Sequence, residues 1–261
     1  MRHLHYLMNG IIFPTEMGLP NLNSPRVREL YGSLQSFAKG MDIVNEGLVK
    51  YCSVFSPDSE FGERSLDLNR VLIAFNGGKD CTVLLHMVLI ACRAIGSCMG
   101  RPRLLYIRDT PEETFPEVDQ FVDEVKSKYS MDAIEVENVD MRSALEYIVS
   151  EHPEVEAIFM GTRSTDPNAK WMDFFCKTSP GWPEMNLIAP ILPMTYGEVW
   201  QVLRGLSVNV CSLYERGYTS IGKRSNTIPN PELTVRNQDG TIGYTHADQL
   251  TDGSKERLGR T

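Results

Sequence analysis

The chain has no CxxC pair and no Cys/His spacing typical of zinc, which excludes a paired-thiol redox centre and a zinc site. Its six cysteines (52, 81, 92, 98, 176 and 211) read as reduced thiols of an intracellular protein. No apolar run approaches the roughly 20 residues that a membrane helix needs. The opening MRHLHYLMNGIIF is interrupted at Asn9-Gly10, meets Pro14, and leads to no small-residue cleavage signal. A soluble, cytoplasmic protein without a membrane partner is expected. Basic charge is also scarce: a net charge of −8 argues against long nucleic acid bound on a broad basic face, yet leaves room for a local basic pocket. Small phosphorylated ligands fit better. Repeats and low-complexity tracts are missing too.

What is present is 261 residues with 42% hydrophobic content, ample for a buried core, in an alternating pattern. Val27, Leu30, Leu34 and Phe37, then Ile43, Val44, Leu48 and Tyr51, recur at helical spacing and predict two amphipathic helices. The polar, turn-rich stretch 56–69 reads as a linker. Then come VLIAF (71–75), a Gly-rich turn, helical 81–95, apolar 103–108, a helical pattern from Phe115 to Val125, a strand at 132–138, a helix at 141–152 and a strand at 156–161. Short apolar strands separated by helices predict an α/β fold with a doubly wound, mainly parallel sheet. Beyond Gly161 the chain is loop-rich, and 196–206 is its one convincing helix. The expected organisation is a helical layer and linker (1–69), a nucleotide-binding core (70–194), and a C-terminal segment (195–261) packed with the core as one domain.

The most informative segment is VLIAFNGGKDCT, 71–82, a strand running through Asn76-Gly77-Gly78-Lys79-Asp80 into a helix. Ligands collect at the carboxyl ends of parallel strands, where a helix N-terminus offers N–H groups and a positive dipole end to phosphate. The glycines let the backbone curl around those oxygens. A Walker A loop is excluded, because it needs Gly at 73 and Ser or Thr at 80, where the chain has Ile73 and Asp80. Lys79 can neutralise a pyrophosphate leaving group, and Asp80 can hold Mg2+ or a neighbouring basic group. The bland alternative is a tight turn with Asp80 as a helix-capping acid. Further on, GTRSTDP (161–167) lies on the same rim; Arg163 can bind phosphate bidentately, and Asp166 can hold a metal, a ribose hydroxyl or a polar ring edge. An Asp-Pro turn with a solvated arginine is the equally open alternative.

The loop resembles the SGGxD loop of the PP-loop ATP pyrophosphatases, which split ATP between the α and β phosphates, with Asn76 in place of the usual serine. Taken together, FNGGKD, the FPE of 115–117, GTRSTDP, the GWP at 181–183, LYERGYTSIGKRSNT (213–227) and KERLGR (255–260) resemble the eukaryotic FAD synthetases, a PAPS reductase-like branch of the PP-loop proteins. The similarity runs from about residue 40 to the C-terminus.

The resemblance implies an adenine nucleotide alpha hydrolase-like fold and transfer of AMP from ATP to FMN, giving FAD and pyrophosphate with Mg2+. It implies that Asn76 and Asp80 contact the reacting phosphates and Mg2+, that Gly77, Gly78, Lys79, Gly161 and Arg163 cradle phosphate, and that Tyr106, Ile107 and Arg108 lie beside the adenosine. Asp166 falls to ATP and flavin, Ser179 and Trp182 to the flavin site, and Arg257 and Arg260 to a closing clamp. Residues three apart on a helical turn face one way, so the two guanidinium forks suit one anion. The family more often has Thr-Asp before the xGWP turn, whereas this chain has Thr178-Ser179, a substitution that removes a charge from the flavin site. The FMN phosphate is already ionised near neutral pH, so no general base is needed, in keeping with the absence of histidine from these motifs. A PAPS or APS reductase shares the fold but needs a cysteine on its C-terminal tail, and the last here is Cys211. A tRNA thiolation enzyme would want paired cysteines and a basic surface. A non-catalytic flavin- or nucleotide-binding regulator is a further alternative. A monomer is expected.

Overall fold

Ser24 accepts the Val27 N–H through its hydroxyl at 3.3 Å, and Pro25 at the first helical position needs no partner, so a helix starts here. This is α1, Pro25–Ser33, in a computed structural model that describes residues 21–55, 64–95, 98–108, 110–167 and 169–261. Leu34 is extended (φ −122°, ψ 102°), ends α1 and separates it from α2, Gln35–Cys52. The break hands Phe37, expected on the first helix, to the second, where it joins the buried stripe Met41, Val44 and Leu48.

The expected linker is only partly a linker. Residues 56–63 lie outside the described residues, but Arg64–Asp67 forms β2, antiparallel to β1 (Ser53–Phe55), and Leu68–Arg70 makes a 3-10 turn. Leu66 and Leu68 are buried, and that burial draws a polar-looking stretch into structure.

The main sheet begins with β3, Val71–Ala74, which feeds α3, Lys79–Ile95. β4 (Cys98–Met99) joins β2 in the small sheet. β5 (Arg103–Arg108), α4 (Pro116–Tyr129), β6 (Ala133–Glu137), α5 (Met141–Glu151) and β7 (Ala157–Phe159) follow. Two short strands, β8 (Phe175–Lys177) and β9 (Asn186–Ile188), precede α6 (Tyr196–Leu206), and a hairpin of β10 (Thr234–Arg236) and β11 (Ile242–Tyr244) comes last. Among the described residues the sheet order is β6-β5-β3-β7-β9-β8, parallel throughout except for the β8–β9 edge. The doubly wound α/β reading therefore holds, with one antiparallel edge strand in a region read as loop.

Alternation along β3 divides the core. Leu72 joins Leu105, Ile158, Leu145 and Ile148 on the α5 side, while Val71 and Ile73 belong with residues of α2, α3 and α6 on the other. α3 is buried at nearly every position from Lys79 to Cys92, which fits a helix with neighbours on several sides. This anchors the loop before α3 at the carboxyl end of β3, the rim where α/β sheets bind ligands.

Candidate active site

After β3 the Phe75 N–H still bonds Leu105 at 2.9 Å, and then the chain turns through Asn76, Gly77 and Gly78. Gly77 has φ +72°, and a Cβ there would also stand 3.2 Å from Val118, so the turn depends on glycine. Asn76 Oδ1 accepts the Gly78 N–H at 3.1 Å, and the Tyr214 hydroxyl accepts the Lys79 N–H at 2.7 Å. The next two N–H groups, of Asp80 and Cys81, have no partner among the described residues and stand at the positive end of α3.

A cleft of about 350 Å3 opens over this loop. Leu105, Ile107, Met141 and Met160 make its apolar side, and Asn76, Asp80, Asp166, Ser220, Arg257 and Arg260 its polar side. Gly161, past the end of β7, also lines it. A second cleft of about 250 Å3 includes Tyr106 and Arg108 and shares Asn76, Ile107, Ile221 and Arg260 with the first. A third, of about 740 Å3, shares Asp166, Glu256 and Arg257 with it. The loop, the end of β5, the 161–167 segment and the C-terminal segment are thus brought to one rim.

Four charges beneath the loop close into a ring. Lys79 Nζ lies 3.0 Å from Asp80 Oδ2 and also bonds Glu256; Arg163 reaches Glu256 Oε2 at 2.5 Å and Asp80 Oδ1 at 2.8 Å. Lys79 is 2% exposed and Arg163 1%. Burial alone would weaken the Arg163 charge, but Asp80 and Glu256 more than offset it and hold its pKa above the usual value. The ring contains two positive and two negative groups, so it is neutral. Lys79 and Arg163, both expected at a phosphate, are thus each paired with Asp80 and Glu256, because a buried cation must be paired. Glu256 is a site residue that motif reading passed over, although it sits inside KERLGR.

Arg257 and Arg260 have no carboxylate partner among the described residues. Arg260 donates to the Ile221 carbonyl at 3.0 Å, and its Nε is buried without a partner among the described residues. Burial and the neighbouring Arg257 push its pKa down, the signature of two cations held close without an anion. Their convergence has a different cause from the one expected. No helix carries them: a 3-10 turn at Gly253–Lys255 gives way to turns, and Arg260 pairs with Thr227 in an isolated bridge. A buried web fixes the segment, with Thr219 Oγ1 donating to Glu256 O at 2.6 Å and Asn230 Nδ2 donating to Thr219 Oγ1 and Lys255 O at 2.9 Å. The Arg260 guanidinium lies directly over Gly222, where a Cβ would come within 2.0 Å of it.

The remaining expected residues divide. Asp166 lines both the central and third clefts; its Oδ2 accepts the Arg163 N–H at 2.9 Å, which forms the turn, and its other oxygen has no partner among the described residues. Tyr106 donates to Asp119 at 2.8 Å, and Arg108 is engaged by Asp119, Glu135 and Glu137, so both side chains are tied to protein while Ile107 faces two clefts. Ser179 and Trp182 are not brought to the clefts. They sit in the β8–β9 turn, before Asn186, which pairs with Ala157 at the amino end of β7, the rim opposite the loop. Cys81 lines the central cleft, but burial pushes its thiol up to about 12.

Residues 70–229 match the phosphoadenosine phosphosulfate reductase domain. A probable FAD synthase of Schizosaccharomyces pombe is 37% identical over 219 residues, which cover 82% of this chain and 80% of that protein. A probable FAD synthase of Caenorhabditis elegans is 35% identical over 203 residues, 74% of this chain but only 37% of that longer protein. Among solved structures, Candida glabrata FMN adenylyltransferase in complex with FMN and an ATP analogue superposes with a TM-score of 0.76 over 93% of this chain and 90% of that one, at 23% identity, a likeness of fold.

Proposed function

The chain belongs to the FAD synthases of the phosphoadenosine phosphosulfate reductase domain family, and from that premise we propose that it transfers the adenylyl group of ATP to the 5′-phosphate of FMN, giving FAD and pyrophosphate. The observation that carries the reading within the site is the pair Arg257 and Arg260, uncompensated cations lining a cleft that Asp80 and Cys81, at the start of α3, also line.

The ATP phosphates lie on the loop, and the base rests on the apolar side formed by Leu105, Ile107, Met141 and Met160. The FMN phosphate is held between Arg257 and Arg260, and the flavin enters the larger third cleft past Asp166. Ser179 and Trp182, on the opposite rim, take no part. An FMN phosphate oxygen attacks the α-phosphorus, the bond from that phosphorus to the bridging oxygen of the β-phosphate breaks, and pyrophosphate leaves toward the loop. The nucleophile is ionised at neutral pH, so no base is needed, and no histidine lines the three clefts. Catalysis is positioning and charge neutralisation.

Magnesium fits as an ion carried with the nucleotide. Such ions take one or two carboxylates and complete their shell with phosphate oxygens and water. Among the described residues no cluster of three or more acidic, Cys or His groups exists to hold a metal alone. Asp166, with an unused oxygen, and Asp80, whose oxygens retain lone pairs beside their ion pairs, are the residues that would hold it. When bound, Mg2+ would screen charge on the phosphates.

Among the described residues Cys81 is the one cysteine lining the three clefts, and burial that pushes its thiol up to about 12 speaks against reductase chemistry there. We also propose a cytoplasmic monomer without nucleic-acid partners, the last supported by the net charge of −8. Among the described residues no helix is long and apolar enough to cross a membrane.

Incubation with FMN, ATP and Mg2+, followed by chromatography of the flavins, should yield FAD and pyrophosphate in equal amounts. Protein that binds FMN and makes no FAD would be a regulator instead.

A further inference from the structure

Lys79 opens α3, and its N–H is one of the donors that a helix N-terminus ordinarily holds out to an anion. Here Tyr214 Oη accepts it at 2.7 Å. The tyrosine comes from the 3-10 turn Ser212–Arg216, is 1% exposed, and lines the central cleft. Its ring meets Trp200 edge-on at 5.3 Å, which fixes where the hydroxyl points, and a Cβ on Gly78 would stand 3.8 Å from that hydroxyl. Having accepted the Lys79 N–H, the phenol still carries its own proton, and no acceptor for it lies within hydrogen-bond reach among the described residues. Burial pushes the Tyr214 pKa well up, so the proton stays on oxygen. A buried donor with nothing to donate to is rare in folded proteins.

We propose that Tyr214 is a substrate contact, donating its O–H to an oxygen of the pyrophosphate portion of ATP. It thereby relays the Lys79 N–H outward. A chain from backbone N–H through phenol to a phosphate oxygen is polarised along its length, and each bond strengthens the next. The phenol would replace a direct contact from Lys79 N–H and act beside the free N–H groups of Asp80 and Cys81. This inference rests on the adenylyl-transfer reading and deepens it.

The test is Tyr214→Phe, assayed with inorganic pyrophosphate as the binding probe, with ATP kinetics and FMN binding alongside. Losing a hydrogen bond to a charged group predicts pyrophosphate binding weakened about tenfold or more and a raised KM for ATP, with FMN affinity within about twofold of wild type. A lowered melting temperature with unchanged pyrophosphate affinity would make the hydroxyl a structural cap for Lys79 and overturn the proposal. If the variant does not fold, tyrosine labelled with 13C at the ζ-carbon serves in the wild-type protein: the Tyr214 resonance should shift on saturation with pyrophosphate, and an unmoved resonance overturns the proposal. Wild-type protein that neither binds pyrophosphate nor makes FAD overturns both readings. Wild-type activity beside an unaltered Y214F overturns this one alone.

Discussion

Arg163 and Glu256, 93 positions apart, meet at 2.5 Å beneath the Gly-rich loop, and the glutamate also holds Lys79. The contact ties three stretches of chain into one neutral cluster and sets the start of the segment that delivers Arg257 and Arg260. Charges that appear ready for phosphate are thus divided into a buried, self-neutralised set and an open set. The open set is the pair of arginines in the C-terminal segment, Arg257 and Arg260, which line the central cleft.

Glu256→Gln should therefore be costly in two ways. It leaves Lys79 and Arg163 with Asp80 alone, and breaking a buried ion pair from one side costs about 3 kcal/mol or more. It also loosens Arg257. Urea unfolding should show the loss of stability, and turnover should fall even at temperatures where the variant remains folded.

Asp80→Asn should reduce turnover by about 100-fold or more, because it removes a carboxylate that would hold Mg2+ beside the reacting phosphates. Because Asp80 also pairs with Lys79 and Arg163, a lower unfolding midpoint should accompany the loss. Steady-state FAD formation and denaturant titration read the two effects separately.

Gly222→Ala is a change of one methyl group at a residue whose backbone does not demand glycine. Its Cβ would nevertheless fall 2.0 Å from the Arg260 guanidinium carbon, so the guanidinium must move. A displacement of that size at a reacting group lowers rate by about 100-fold. Adding Arg260→Ala to Gly222→Ala should produce little further loss, because both act through the same guanidinium. Turnover of the two single variants and the double variant checks this.

Acid should weaken the fold through His86. Its Nδ1–H donates to the Thr82 carbonyl at 2.7 Å and its Nε2 accepts from the Tyr129 hydroxyl at 2.8 Å, an arrangement that requires the neutral ring. Burial pushes its pKa from 6.5 down to about 4. The unfolded chain therefore binds a proton that the folded one refuses, so the contribution is complete above about pH 6.5 and is lost as pH falls toward 4. Between pH 7 and 5 the loss is on the order of 2 kcal/mol. Unfolding free energies at the two pH values should show that drop in wild type and a smaller one in His86→Gln.

Much of this was legible where the signal is local. The Gly-rich turn at 76–80 stands between a strand and a helix as its sequence predicts, and Thr195 with Glu198 forms the capping box that starts α6 where periodicity places it. What escaped depends on contacts between distant residues. Glu256 looks like one more charge in a basic tail until Lys79 and Arg163 surround it. Tyr214 sits within a recognised motif, yet only the packing of its turn against α3 reveals its hydroxyl at the loop. β8 and β9 are three residues each, too short for alternation to register, and the prolines between them look like loop. Leu34 carries no breaker signal, so two helices blur into a misplaced boundary.

The most direct test follows the label. FMN is incubated with the protein and ATP carrying 32P at either the α or the γ position, and the flavin product is separated from pyrophosphate. Cleavage between the α and β phosphates predicts that α label appears in FAD, that γ label appears in pyrophosphate, and that neither appears in inorganic phosphate. Label from the γ position in the flavin, or α label released as free AMP with FMN unchanged, would contradict the account.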